Sequence, residues 1–142
     1  MILYLDTSSL VKLYLEEAYT DSVRLWVHSA DLLATSRLTL PETAAAVARR
    51  ERTGTISARQ RDRTMADLER DWDEFVAVEL DEWQATSLAL RRRLRGLDAV
   101  QLAAALTLQR GAGTEELVFS SFDDVLNESA RAEGLTVLET ID

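Results

Sequence analysis

Met1-Ile2-Leu3-Tyr4-Leu5-Asp6-Thr7-Ser8-Ser9 is the stretch of sequence that decides the fold. Its short apolar run predicts a buried strand, and Asp6 stands where that strand gives way to a helix. In open α/β sheets, ligands bind at the carboxyl ends of the strands. The stretch therefore predicts a buried strand followed by a ligand site that begins at Asp6.

Short strands and helices alternate along the rest of the chain. Strands are predicted at 2–5, 32–35, 75–80, 117–120 and 136–138, and helices at 8–16, 20–29, 41–52, 57–73, 81–94, 98–110 and 124–133. This alternation indicates an α/β fold in which a parallel sheet carries helices on both faces, with more helix than strand. The length predicts one domain, 1–142. The helical pair at 41–73 interrupts the alternation and is either a dimerisation or partner surface or an ordinary hairpin that covers the sheet.

The composition is that of an ordinary globular protein, with 46% apolar and 29% charged residues. No run is long enough for a membrane span, and the N-terminus lacks the pattern of a signal peptide. The chain has no cysteine, which excludes disulfides and thiolate zinc sites. We therefore expect a cytoplasmic protein without a membrane partner.

The net charge of −9 opposes long-range attraction of nucleic acid. Any binding of RNA or DNA must therefore depend on local positive charge and bound metal. The run Arg91-Arg92-Arg93-Leu94-Arg95 is either a solvated helix end or a substrate contact, and Arg95 is our candidate for that contact. We expect Arg49, Arg50 and Arg52 to lie on a solvated helix end.

Four carboxylates occupy boundaries between predicted elements: Asp6, Glu42, Asp98 and Asp123. If the fold gathers them, they form a cluster of hard oxygen ligands for a divalent cation. Each also has a purely structural interpretation as a helix cap. Thr39-x-x-Glu42 and Asp98-x-x-Gln101 match capping boxes, and Asp6 and Asp123 precede helices.

The positions of these acids argue against four independent caps. Asp6 and Asp123 each end a predicted strand, and Asp98 begins the most apolar helix, 99–106. Clustered carboxylates repel one another unless a cation compensates, and Mg²⁺ or Mn²⁺ suits oxygen-only ligands. His28 is the only histidine, and we interpret it as structural or exposed. Metal-activated water is therefore the expected nucleophile.

These residues resemble those of the PIN-domain ribonucleases, specifically the VapC toxins of type II toxin–antitoxin systems. The resemblance spans 1–142. Its landmarks are Leu5-Asp6-Thr7-Ser8, Glu42 near a helix start, Leu97-Asp98-Ala99 before an alanine-rich helix, and Ser121-Phe122-Asp123 after a late strand. The family often has Thr where this chain has Ser121. The resemblance implies a Rossmann-like sheet whose acids bind Mg²⁺ or Mn²⁺ and cleave RNA.

The resemblance also implies roles for individual residues. Asp6 and Asp98 are metal ligands, with Glu42 and Asp123 as the third and fourth acids, and all four are catalytic. Asp124 is an alternative to Asp123, although the Ser-x-Asp spacing favours Asp123. Three hydroxyl residues support the site: Thr7, Ser8 and Ser121.

The implied activity is that of a Mg²⁺-dependent endoribonuclease toxin. Its products carry 5′-phosphate and 3′-hydroxyl ends. Its implied partners are RNA, a VapB-like antitoxin whose basic side chain enters the acidic site, and a second copy in a homodimer or a larger toxin–antitoxin complex. Two other classes are weighed against it. A degenerate PIN domain acting as a binding module would not need the complete acid set, and a phosphatase or receiver domain would need a lysine partner and a phosphoacceptor pattern that are not evident.

Overall fold

Five strands form the sheet of the computed structural model, which describes residues 1–140. They are β1 (Ile2–Leu5), β2 (Leu32–Ser36), β3 (Phe75–Val78), β4 (Leu117–Ser120) and β5 (Thr136–Val137). All neighbouring strands are parallel, in the spatial order β3-β2-β1-β4-β5. The predicted parallel α/β sheet is therefore confirmed. Ile141 and Asp142, the end of the predicted domain, lie outside the described residues.

Seven α-helices connect these strands within residues 1–140. They are α1 (Thr7–Tyr14), α2 (Thr20–Ser29), α3 (Thr39–Arg52), α4 (Ala58–Asp71), α5 (Glu82–Arg92), α6 (Gly96–Gly111) and α7 (Asp124–Ala132). A single 3₁₀ turn, Trp72–Glu74, joins α4 to β3. Every predicted element is present, with boundaries shifted by a few residues. In the part of the chain that the structure describes, no helix has the length and apolar character needed to cross a membrane.

The central strand β1 buries side chains on both faces of the sheet. Leu3 and Leu5 pack on one face with residues of α1, α2 and α4, namely Leu10, Val23 and Leu68. Ile2 and Tyr4 pack on the other face with the apolar side chains of α5, α6 and α7. A strand buried on both faces reads as a continuous apolar run, which is what the sequence shows. The prediction of helices on both faces is confirmed.

Helices α3 and α4 form a hairpin against α1. Val11 and Leu15 of α1 form a small buried cluster with Val47 of α3, and Leu68 anchors α4 in the core beneath the sheet. In this structure the 41–73 segment thus serves as a helical cover. The contact with α1 also brings the first turn of α3 beside the end of β1.

The chain order of the strands creates a crevice between β1 and β4. From β1 the chain builds β2 and β3 on one side, then returns to place β4 on the other side of β1. Leu5 and Ser120 are paired in register at the carboxyl ends of these two strands. Asp6 and Ser121 therefore leave the sheet side by side at the switch point, where open α/β sheets bind ligands.

Two of the proposed caps form as the sequence predicts. The Asp6 side chain accepts from the backbone N–H of Ser9 at 2.9 Å, and Asp123 accepts from that of Leu126 at 2.9 Å. Each carboxylate thus caps a helix and also stands at the end of a strand. Capping and a place at the ligand-binding edge are compatible for both residues.

The capping boxes proposed at Thr39 and Asp98 are wrong. Helix α3 already includes Thr39, whose hydroxyl is buried and accepts from the Thr35 hydroxyl at 2.7 Å. Helix α6 begins at Gly96, which places Asp98 in its first turn with Arg95 at the cap position. Because its side chain is not used as a cap, Asp98 is free to face the crevice.

Candidate active site

All four candidate acids line one cleft at the carboxyl edge of the sheet. The cleft has a volume of about 670 Å³, and its walls include Asp6, Glu42, Asp98 and Asp123. Asp6 follows β1 and Asp123 follows β4 by three residues, while the other two acids lie in the first turns of α3 and α6. The fold therefore brings together residues that are separated by up to 117 positions in the numbering.

Asp6 is the most deeply placed of the four acids, with only 4% of its surface exposed. The Ser8 hydroxyl donates to its Oδ1 at 2.7 Å, as does the Ser9 N–H. Burial raises the pKa of Asp6 to about 6, although hydrogen bonds from Ser121, Ser8 and Ser9 oppose the rise. Its charged form is thus disfavoured, and a cation bound nearby would favour it.

Asp98 faces the other acids from the first turn of α6. Burial raises the pKa of its carboxyl group, and the negative charges of Asp123 and Glu42 raise it further, whereas Arg95 lowers it. Asp123 and Glu42 therefore lie close enough to Asp98 for their negative charges to act on it. A bound cation would relieve this repulsion.

Asp123, and not Asp124, faces the cleft. Asp123 caps α7 and lines the cleft with the other acids, whereas Asp124 lines a separate depression beside Phe122 and Asn127. The Ser121 hydroxyl accepts from the Asp123 backbone N–H at 3.0 Å. This short turn directs the first Asp of the pair toward Asp6 and the second away from it.

The hydroxyl residues predicted to support the site contact its acids. The Thr7 hydroxyl donates to Glu42 Oε1 at 2.9 Å. The Ser8 hydroxyl donates to Asp6 and also accepts from the Phe122 N–H at 2.9 Å, so it links the ends of β1 and β4. These contacts hold Asp6 and Glu42 in defined orientations within the cleft.

The chemistry of the donor set fits a hard divalent cation. The four acids supply only oxygen, the ligand type preferred by Mg²⁺ and Mn²⁺. Within residues 1–140, no three acidic, histidine or cysteine side chains stand close enough to hold a metal ion in their present arrangement. Binding one ion through three acids would therefore require side-chain rotation within the cleft.

Four basic side chains also line the cleft: Lys12, Arg49, Arg50 and Arg95. The predicted position of Arg95 at the cleft is thus observed. Arg49 is exposed in the last turn of α3, as the sequence predicts, but Arg49 and Arg50 also line the cleft, because the packing of α3 on α1 directs the last turns of α3 along the cleft wall. Arg52 is exposed and does not line the cleft.

Two of these cations form ion pairs with the same carboxylate. Glu17 forms ion pairs with Lys12, at 2.7 Å, and with Arg50. Within residues 1–140, Arg49 and Arg95 have no such carboxylate partner. The cleft therefore presents an acidic centre with an unpaired arginine from α3 and another from the start of α6.

The other arginines of the basic run, Arg91, Arg92 and Arg93, do not line the cleft. Arg91 and Arg92 both pair with Glu133, at 2.5 and 3.1 Å. Arg93 closes α5 with a left-handed backbone, at a φ of 55°. The run thus divides into structural ion pairs and a single residue, Arg95, at the cleft. His28 is exposed in the last turn of α2, outside the cleft.

Sequence reasoning missed the part that Gln101 and Tyr4 play in the site. Gln101 Nε2 donates to Glu42 Oε1 at 3.2 Å, and the Tyr4 hydroxyl donates to Gln101 Oε1 at 2.6 Å. Burial, with the charges of Asp6 and Glu42, raises the pKa of Tyr4 well above its ordinary value. The available signal was an amide in the middle of an otherwise apolar helix, which predicts a buried hydrogen-bonding partner.

The raised pKa of Asp6 predicts a loss of stability in the metal-free protein as the pH rises. Because the pKa of Asp6 is about 6 in the folded protein, against an ordinary value of 3.8, the native state binds this proton more tightly than the unfolded state. That stability is fully present below about pH 4 and is lost as the pH rises through about 6. Asp6→Asn cannot ionise, so its free energy of unfolding should exceed that of wild type by on the order of 3 kcal/mol at pH 7, but by little at pH 4.

Urea unfolding of both proteins in EDTA, at pH 4 and pH 7, measures this difference. Asp124→Asn is the matched control, since it makes the same change on an exposed side chain outside the cleft. A gap between wild type and Asp6→Asn that does not widen with pH would contradict the prediction.

Comparison with known proteins identifies the class to which this architecture and cleft belong. The family model of the PIN domain matches residues 3–140, so the chain belongs to the PIN-domain family. Within that family it belongs with the VapC ribonucleases. It is 37% identical to ribonuclease VapC45 of Mycobacterium tuberculosis (strain CDC 1551 / Oshkosh), over 96% of this chain and 94% of that protein. The resemblance predicted from the four acid landmarks is confirmed.

Solved structures share the fold. FitAcB from Neisseria gonorrhoeae superimposes with a TM-score of 0.63 at 16% identity, over 98% of this chain and 97% of that one. PAE2754 from Pyrobaculum aerophilum gives a TM-score of 0.66 at 20% identity, over 96% of this chain and 83% of that one. Identities this low establish similarity of fold and no more.

Proposed function

We propose that this protein is a Mg²⁺-dependent endoribonuclease and the toxin of a type II toxin–antitoxin system. The observation that carries the proposal is the gathering of Asp6, Glu42, Asp98 and Asp123 in one cleft beside unpaired arginines. Identity to ribonuclease VapC45 over nearly the whole chain supports the same activity. The binding-module alternative gains no support, because the acid set is complete and faces a cleft open to a substrate.

In this proposal the four acids have different roles. Asp6 and Asp98 would hold the cation, with Glu42 and Asp123 as the third and fourth acids of the cleft. When bound, the cation would supply a Lewis acid that activates water and stabilises the leaving oxygen. Glu42 orients the water and accepts a proton from it while the water oxygen attacks phosphorus in line. The P–O3′ bond breaks and the leaving O3′ takes up a proton from solvent, which gives 5′-phosphate and 3′-hydroxyl ends.

The experiment that tests this proposal is an RNA cleavage assay with Mg²⁺, with Mn²⁺ and with EDTA, followed by analysis of the product ends. Cleavage that requires the metal and leaves 5′-phosphates supports it. Cleavage in EDTA, or products with 2′,3′-cyclic phosphate, would show a different mechanism.

The charge of the cleft also supports a basic antitoxin segment as partner. The acids would attract an arginine or lysine side chain, which would occupy the position of the cation and block the site. A short upstream reading frame for a DNA-binding protein is the simplest sign of such a partner. We further propose that the toxin acts as a homodimer, alone or within a larger toxin–antitoxin complex in the cytoplasm.

Arg95 and Arg49 should provide the local positive charge that RNA binding needs in so acidic a protein. Both line the cleft, from the start of α6 and the last turns of α3. Replacing either with Ala should weaken RNA binding about tenfold at low salt and reduce the slope of log K against log salt by about 0.7 to 1. Binding of labelled RNA in an Asp98→Asn background separates this effect from chemistry.

Arg52→Ala is the matched control for this measurement. It removes the same charge from the same helix as Arg49, at an exposed position outside the cleft. If Arg52→Ala weakens binding as much as the cleft variants, the effect is general electrostatics. If no variant weakens binding, bound metal and helix N-termini must hold the RNA, and the arginines are only solvated.

A further inference from the structure

Gln101 is a buried amide in the centre of an apolar helix. Only 3% of its surface is exposed, and the α6 residues around it are Ala, Val and Leu. An amide in such a position destabilises the fold unless its donors and acceptor are satisfied. The partners that satisfy it here are residues of the candidate active site and its supports.

The amide joins three elements at the floor of the cleft. Its Nε2 carries two hydrogens and lies within hydrogen-bond distance of three acceptors: Glu42 Oε1 at 3.2 Å, the Thr7 hydroxyl at 3.1 Å and the Thr39 hydroxyl at 3.0 Å, so that one hydrogen is shared between two of them. Its Oε1 accepts from the Tyr4 hydroxyl at 2.6 Å. Residues of β1, α1 and α3 thus meet at one side chain of α6.

Tyr4 determines which end of the amide faces Glu42. A hydroxyl that donates to Oε1 leaves Nε2 on the side of the carboxylate, where both of its hydrogens are used. The opposite orientation would place the amide oxygen against Glu42 Oε1, two acceptors without a proton between them. The Tyr4 ring is itself held by stacking on Phe119 at 5.5 Å, so the orientation is fixed by the core.

The consequence for Glu42 is a difference between its two oxygens. Oε1 accepts from both Thr7, at 2.9 Å, and Gln101. Among residues 1–140, Oε2 has no hydrogen-bond partner. One oxygen is therefore anchored to the protein, and the other is left for whatever occupies the cleft.

We propose that Gln101, oriented by Tyr4, is a positioning residue that anchors Glu42 through Oε1 and so presents Oε2 to the cation or attacking water. This proposal rests on the proposed function of the same site. It assigns a role to a chain of contacts from β1 through α6 to α3. Partners that orient metal-site ligands in this way commonly change metal affinity or activity by about 10- to 100-fold when removed.

Gln101→Met tests the proposal, because methionine keeps the length and volume of the side chain but cannot donate. We expect kcat for RNA cleavage to fall about 10- to 100-fold with KM changed less than twofold, and the Mn²⁺ concentration that gives half-maximal thermal stabilisation to rise about tenfold. Gln109→Met is the matched control in the same helix, outside the cleft. Its kcat and Mn²⁺ midpoint should equal those of wild type.

Coupling to Glu42 separates positioning from a general packing effect. Because Glu42→Gln is expected to lose turnover, the Mn²⁺ midpoint is the measurement compared in this background. There Gln101→Met should have little further effect on the midpoint, because the group that it positions has been changed already. Equal, additive shifts of the midpoint in the wild-type and Glu42→Gln backgrounds would overturn the proposal.

Tyr4→Phe keeps the test decisive if Gln101→Met does not fold. It retains the ring stacked on Phe119 and removes only the hydroxyl that orients the amide. Its control is Tyr14→Phe, which removes a hydroxyl bonded to Asp71 away from the cleft. We expect Tyr4→Phe to lower kcat at least threefold and Tyr14→Phe to leave it unchanged. Equal activity of the two variants would overturn the proposal.

If wild type itself does not cleave RNA, the proposed function fails, and the Mn²⁺ midpoints still test the positioning.

Discussion

We expect Asp98→Asn to abolish RNA cleavage while the protein stays folded. The substitution removes a charged ligand but keeps the size of the side chain. Asp98 lies in the first turn of α6 and not at its cap, so no capping hydrogen bond is lost. Removing its repulsion with Asp123 and Glu42 should also relieve strain in the metal-free protein. The loss in kcat/KM should be about a thousandfold or more, since it removes several kcal/mol of transition-state stabilisation.

Cleavage assays at fixed Mg²⁺, with circular dichroism to verify folding, measure this loss. Asp6→Asn should behave in the same way, whereas Glu42→Gln should keep weak metal binding and lose turnover. Asp124→Asn provides the control, because it makes the same chemical change beside Asp123 but outside the cleft. Full activity of Asp98→Asn at ordinary Mg²⁺ would show that the site is assigned wrongly.

Mn²⁺ or Mg²⁺ should raise the melting temperature of the wild-type protein. A ligand that binds only the native state stabilises it by mass action, by about 2.7 kcal/mol at one hundred times Kd. For a chain of this length that corresponds to a rise of about 10 °C. The ion would also favour the charged forms of Asp6 and Asp98, because burial and the charges of neighbouring acids raise the pKa of both groups.

The double variant Asp6→Asn/Asp98→Asn is the comparison that locates the ion. Its melting temperature without metal should be higher than that of wild type, and its rise with Mn²⁺ should be much smaller. Thermal unfolding at several Mn²⁺ concentrations measures both quantities. Equal shifts in the two proteins would mean that the ion binds outside the acid cluster.

The acid cluster itself could be predicted from sequence, because each acid marks an element boundary. Asp6 ends a strand that is apolar on both faces, and Asp123 follows a second such strand. Parallel strands place such ends on one edge of the sheet, so their proximity follows from topology alone. The choice between Asp123 and Asp124 was also accessible, since the Ser-x-Asp spacing favoured the residue that the structure places in the cleft.

The surroundings of the acids were less accessible to sequence reasoning. Arg49 and Arg52 look equivalent along α3, yet only Arg49 lines the cleft, because the packing angle of α3 on α1 decides which side faces it. The capping boxes at Thr39 and Asp98 fitted local sequence rules. They fail because those side chains have other environments: the Thr39 hydroxyl is bound within the core, and Asp98 faces the other acids.

By itself, the sequence determined the elements, the parallel sheet and the edge at which the acids collect. These follow from the apolar runs, the alternation of strand and helix, and the rule that parallel strands share one carboxyl edge, all of which act over short stretches of chain. Only the tertiary structure decided which cations face the cleft and how Glu42 is held. Tyr4 and Gln101 are 97 positions apart and meet at 2.6 Å. Such a contact depends on how β1 and α6 pack, and packing is settled by the whole core at once.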